Sequence, residues 1–108
     1  MNAWTEVMEA MLRLEKNGEA FVCITLAGAR GSVPQEVGAK MVVNAAGRAC
    51  GTVGGGRVEE AAIQHARELL ASKPEAPCGL IEWNLQKDIG MTCGGVVSYF
   101  FEVFRPAS

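Results

Sequence analysis

Residues 3 to 16 carry apolar positions at helical spacing. Trp4, Val7, Met8, Met11 and Leu12 fall on one stripe, with Glu6, Glu9, Arg13 and Lys16 on the rest. The pattern predicts an amphipathic helix, with Asn2 as its N-cap and Asn17-Gly18 as its stop. Residues 20 to 27 are almost continuously apolar and rich in β-branched side chains, which fits a central strand covered on both faces. A polar interruption from Gly28 to Gly38 follows. Its glycines and Pro34 exclude a regular element. Ala39 to Val43 and Arg48 to Val53 flank Asn44-Ala45-Ala46-Gly47 and predict a hairpin. Residues 57 to 71 predict a second helix, with Val58, Ala62, Ala66, Leu69 and Leu70 inward and Glu59 among the solvent-facing positions. After a Lys73–Pro77 linker, Cys78 to Leu85 alternates as a strand. Gln86 to Gly95 is irregular, and Val96 to Phe104 is a strong strand.

The order helix, strand, hairpin, helix, strand, strand predicts a single α/β domain over residues 1–108. It should hold a mixed β-sheet of about five strands with two main helices packed on it. The apolar fraction of 49% suits a folded globule of this length. The net charge of −2 and pI near 5.4 argue against a nucleic-acid surface and against docking on anionic lipid. The N-terminal segment lacks the basic start and apolar run of a signal peptide, and no stretch is long and apolar enough to span a membrane. Cytoplasm is therefore the expected location. Exposed strand edges in so small a sheet predict a homodimer.

Cys23, Cys50, Cys78 and Cys93 have no close C-x-x-C spacing, and His65 is the one histidine, so a cage of several protein ligands around a metal is not expected. Cys23 and Cys78 read as small buried apolar residues, and His65 as a solvated position on the second helix. No Ser-His-Asp set and no facing pair of carboxylates is present, so no enzyme chemistry is expected.

Three glycine-rich segments sit at element ends: residues 28–38, 51–57 and 90–95. In open α/β sheets ligands bind at such ends. Gly54, Gly55 and Gly56 stand where a strand turns into a helix. There free N–H groups and the positive end of the dipole favour an anion. Arg57 adds a fixed charge. The alternative is a tight turn whose glycines only satisfy backbone geometry. Arg30 and Ser32 offer donors in the first segment, or else decorate a solvated loop. Cys93 precedes Gly94 and Gly95, so its sulfur is either accessible as a thiolate for a soft metal or buried at a strand start.

Taken together, Arg30-Gly31-Ser32-Val33-Pro34 with Gly38-Ala39-Lys40-Met41, Gly51 to Glu59, and Gly90-Met91-Thr92-Cys93-Gly94-Gly95 resemble the N-terminal domain of the xanthine dehydrogenase accessory factors (XdhC/CoxI type). The likeness covers roughly residues 4 to 104. It implies a non-enzymatic chaperone for molybdoenzyme maturation, with molybdopterin, the molybdenum cofactor, as bound cargo. The implied cofactor-binding residues are Arg30, Ser32, Gly54, Gly55, Gly56, Arg57, Cys93 and Gly94, with Cys93 at the molybdenum end. The implied partner is a molybdoenzyme of the xanthine dehydrogenase class. Family members usually carry a second, Rossmann-like domain, and this chain stops at Ser108. A separate Rossmann-domain accessory protein is thus a further expected partner. The family's glycine loop usually ends in cysteine where this chain has Arg57. A guanidinium cannot ligate molybdenum but can hold a phosphate bidentately. That departure keeps a second reading open, a cofactor-free interaction module docking on a Rossmann-domain partner or on a molybdoenzyme. A small thiol enzyme using Cys93 is the third.

Overall fold

The computed structural model describes residues 3–33, 35–92 and 94–106. Asn2, the expected N-cap, and Pro34 lie outside them. The elements run α1 (Ala3–Lys16), β1 (Phe21–Arg30), β2 (Lys40–Asn44), β3 (Gly47–Gly51), α2 (Gly56–Ser72), β4 (Cys78–Asn84), a single π-helical turn (Leu85–Ile89) and β5 (Val96–Phe104). No described helix is long and apolar enough to cross a membrane.

The α/β class, the five strands and the two main helices match the sequence pattern. The sheet, however, is not mixed. Its order is β3-β2-β1-β5-β4, and each of those pairings is antiparallel. The reason lies in α2. It connects β3 to β4, which run parallel to each other, but it carries the chain across the whole sheet from one edge to the other. The two parallel strands never become neighbours.

β1 is central, and its unbroken apolar run is covered on both faces. Val22, Ile24 and Leu26 join Met41, Val43, Tyr99 and Phe101 under the Val58, Ala62 and Ala66 face of α2. Phe21 and Val42 join Val7 and Leu14 of α1 on the opposite face. Alternation along each strand thus builds two cores, one per helix. β1 also runs further than its apolar run predicts. It passes a register shift between Leu26 and Gly28 and continues to Arg30, taking the start of the expected loop into the sheet.

Three side-chain expectations change. On α1 the buried positions are Val7, Ala10 and Leu14, at 3%, 1% and 5% exposure, whereas Trp4, Met8 and Leu12 are 58%, 49% and 55% exposed. The helix has turned its broad apolar arc so that the small Ala10 lies inward. Cys78 is exposed, not buried, because it opens the edge strand β4 on a part of the sheet that α1 does not cover. His65 is half-buried, with its ring edge-on to Phe101 at 4.7 Å between centroids.

Candidate functional site

The glycine-rich stretch begins where β3 ends. Gly51 has φ 78°, and a Cβ there would lie 2.3 Å from the Lys40 carbonyl oxygen. Only glycine lets the two backbones meet. Val53 is fully buried, and its carbonyl accepts the Tyr99 hydroxyl at 2.9 Å. A Cβ on Gly54 would come within 2.8 Å of Val58 Cγ1 and 3.1 Å of Tyr99 Oη. Gly51 and Gly54 therefore serve packing. Gly55 (φ 77°) and Gly56 (φ 56°) make the turn into α2 with open space around them.

The positive end of α2 is answered from within the chain. The Glu59 carboxylate accepts the Gly55 N–H at 2.8 Å and the Thr52 hydroxyl, and its other oxygen lies 3.6 Å from Arg48 Nη1. Gly55 has no side chain with which to cap the helix, so Glu59 reaches back one turn and does so. Glu59 was expected to face solvent. The signal that could have placed it is its spacing from Gly55, close to that of a capping box. In the first turn of α2, Gly56 and Arg57 are both exposed residues, and their N–H groups have no intrahelical acceptor. Burial and the nearby Glu59 charge push the Tyr99 phenol up to about 12 from an ordinary 10.0.

The three segments do meet on one rim. Arg57 Nη1 donates to the Gly90 carbonyl at 3.2 Å, tying the start of α2 to the end of the π-helical turn. That turn is held by Asn84, whose side-chain oxygen accepts the Gln86 and Lys87 N–H groups at 3.0 and 2.9 Å. Gly95 in turn lies under the first segment. A Cβ on it would be 2.4 Å from the Ser32 carbonyl oxygen, and one on Gly31 would be 3.3 Å from Gly95 Cα.

Among the expected site residues, Gly54, Gly55, Gly56 and Arg57 form one end of the rim, and Ser32 and Gly94, both exposed, the other. Arg30 departs from them. As the last residue of β1 it shares a sheet face with Glu82, which it pairs at 3.7 Å, and that face looks away from α2. Both partners are largely exposed, so the pair is a weak tether. Cys93 lies outside the described residues. Cys23 is buried, and desolvation raises its thiol, partly offset by Lys40, so it is a poor thiolate donor. Among the described residues no cluster of three His, Cys, Asp or Glu side chains is placed to hold a metal.

Residues 14–82 match the XdhC and CoxI family, a stretch running from the end of α1 to the middle of β4. This chain belongs to the XdhC and CoxI family. It is 36% identical over 91 residues to the molybdenum cofactor insertion chaperone PaoD of Escherichia coli K12, covering 84% of this chain and 29% of PaoD. It is 35% identical over 104 residues to the uncharacterized protein YqeB of the same organism, covering 95% of this chain and 18% of YqeB. The fold matches the crystal structure of a xanthine dehydrogenase from Bacillus halodurans with a TM-score of 0.69 and 21% identity, over 89% of this chain and 30% of that one. The XdhC/CoxI chain thus spans under a third of the length of these relatives.

Proposed function

We propose that this XdhC/CoxI chain is a non-enzymatic accessory protein in molybdoenzyme maturation, which holds molybdopterin on the rim of its three glycine-rich segments. Family membership and the PaoD likeness support the class of role. The observation that carries the site is the anchored Arg57. Its guanidinium is fixed at Gly90 beside the exposed first-turn N–H groups of α2, and this donor set fits a phosphate. Gly56, Arg57 and Ser32 would hold that end of the cofactor. Arg30, once free of Glu82, and Gly94 would border it. The described rim residues include no thiolate, so the molybdenum end falls to Cys93. The cofactor itself supplies the redox-active metal centre, and this chain binds, orients and shields it for a molybdoenzyme of the xanthine dehydrogenase class in the cytoplasm.

Anaerobic purification from a cofactor-producing host, followed by absorbance and mass spectrometry, tests the reading. Wild-type protein should carry the pterin cofactor, and Arg57→Ala should lose most of it. Wild-type protein purified without cofactor would overturn the proposal. One observation favours a second reading. Glu59 already satisfies part of the helix terminus, as in a module whose glycine loop is structural. Such a module would dock on a separately encoded Rossmann-domain protein or on a molybdoenzyme. It predicts partner capture that persists in Arg57→Ala with no pterin present.

A further inference from the structure

Helix α1 carries two apolar faces, and the core uses one of them. Val7, Ala10 and Leu14 point into the sheet, whereas Trp4, Met8 and Leu12 stand 58%, 49% and 55% exposed. These three recur at i, i+4 and i+8 and so form one ridge, about 12 Å long. α1 packs on β2 and β3, on the face of the sheet opposite α2. The ridge therefore shares no side chain with the rim described above. A contiguous apolar ridge on an otherwise charged helix marks a contact with another chain.

The helix also holds the complement of its own ridge. Beside Leu12 lies a groove of about 300 Å³, lined as well by Glu9, Arg13, Lys16 and Asn17. One end of α1 thus presents a protruding indole, and the other a hollow with an apolar side chain and two cations. Two copies laid antiparallel fill each hollow with the other's indole. Charge selects the same orientation. Glu6 and Glu9 occupy the first half of α1, and Arg13 and Lys16 the second. Antiparallel copies set acidic half against basic half and oppose the two helix dipoles, whereas parallel copies would set carboxylate beside carboxylate. Glu15, the exception, comes to the N-terminal end of the partner helix, where the dipole favours a carboxylate.

We infer that the ridge of Trp4, Met8 and Leu12 is the contact between two copies of this chain, paired antiparallel about a two-fold axis at Met8. The contact is self-complementary, as a two-fold requires: Trp4 of each copy meets Leu12 of the other, and Met8 meets Met8. Arg13 and Lys16 lie against the inserted indole as cation–π partners. A homodimer is expected from open strand edges as well, but the β3 edge discourages one. It is five residues long, its pairing with β2 shifts register beside Val42, and it carries Arg48. The three ridge side chains cover well under the roughly 800 Å² per partner of a standard interface, so the dimer is weak, with a Kd of roughly 10 µM. The inference stands apart from the cofactor reading.

Sedimentation velocity on the whole chain should show monomer passing to dimer between about 1 and 200 µM. Unfolding read at the dilute end reports the fold alone. The chain has two tryptophans, so Trp83→Phe leaves Trp4 as the only indole. Its emission should move to the blue over the same concentration range as the ring enters the partner's groove. Met8→Glu sets two carboxylates together at the axis and should raise the Kd at least about a hundredfold. Leu12→Arg should do the same. Both positions are exposed, so circular dichroism should stay that of the wild type. A monomer at the highest concentration would overturn the inference. So would a dimer that forms without moving the Trp4 emission, or one that Met8→Glu leaves intact, which would return the contact to a strand edge. A monomer whose Trp4 emission shifts only on adding a Rossmann-domain protein would give the ridge to that partner and equally overturn it.

Discussion

A methyl group on Gly51 would sit 2.3 Å from the Lys40 carbonyl, at a φ of 78° that side chains avoid. Gly38 has a similar φ, 100°, but open space around it. Gly51→Ala should therefore cost at least about 3 kcal/mol from clash and strain together, and Gly38→Ala only about 1–2 kcal/mol from strain. Urea unfolding midpoints of the two variants check the difference. Tyr99 makes a pH-dependent claim. Its phenol titrates near 12 in the folded protein against 10.0 in the unfolded chain. Below the lower value neither state is ionised and the contribution is complete. Between the two values the unfolded chain releases a proton that the folded protein keeps, so stability falls as pH rises, by up to about 1.4 kcal/mol per unit. In Tyr99→Phe that alkaline slope should vanish. The variant should also lose about 1–3 kcal/mol at neutral pH, because the buried Val53 carbonyl is left unpaired. Denaturation repeated from neutral pH to about pH 11 reads both effects. At this scale the sequence marks Gly51 to Arg57 as special, but it cannot sort the glycines. Gly54 has no room for a side chain against Val58 and Tyr99, residues that reach it only through the tertiary fold.

At the scale of elements, α1 shows what periodicity can and cannot say. Its apolar residues cover a wide arc, so the helix itself is legible from the sequence while the centre of its buried face is not. Packing on β2 and β3 selects Ala10 and Leu14 over Met8 and Leu12. Leu14→Ala should cost about 2–4 kcal/mol and Leu12→Ala less than about 0.5 kcal/mol. Equal losses in thermal or urea unfolding would contradict this assignment. α2 was easier to place. Val58, Ala62 and Ala66 are buried as the pattern predicts. Its first turn is harder to read, because Glu59 fits the solvent-facing pattern of the helix and only the position of the N-cap at Gly55 turns its carboxylate back onto the helix start.

Across the whole molecule, strand directions were the hidden quantity. A helix between two strands suggests a parallel pair, and nothing local to α2 says that it crosses the full width of the sheet. The meeting of the glycine-rich segments at one end could be expected, since each abuts an element end. The diversion of Arg30 toward Glu82 could not, because it depends on which face the last residue of β1 occupies after the register shift at Leu26 and Gly28. The topology also sets how far the chain can be cut. The family match ends at residue 82, yet β5 lies between β1 and β4 and pairs with both. A chain trimmed to residues 14–82 should be unfolded by circular dichroism and by amide chemical-shift dispersion. A folded spectrum from it would show that β4 can pair elsewhere.

Gly31 and Gly95 touch where Gly95 has no room for a side chain and Gly31 little, and the Gly95 carbonyl also accepts the Leu85 N–H at 2.9 Å. Two stretches far apart in the chain consequently have a single opening free energy. Neither can lift away from the protein without the other. Amide hydrogen exchange should report this directly, with Leu85 and the amides flanking Gly31 and Gly95 exchanging at one common rate, slowed together when a ligand binds at either stretch.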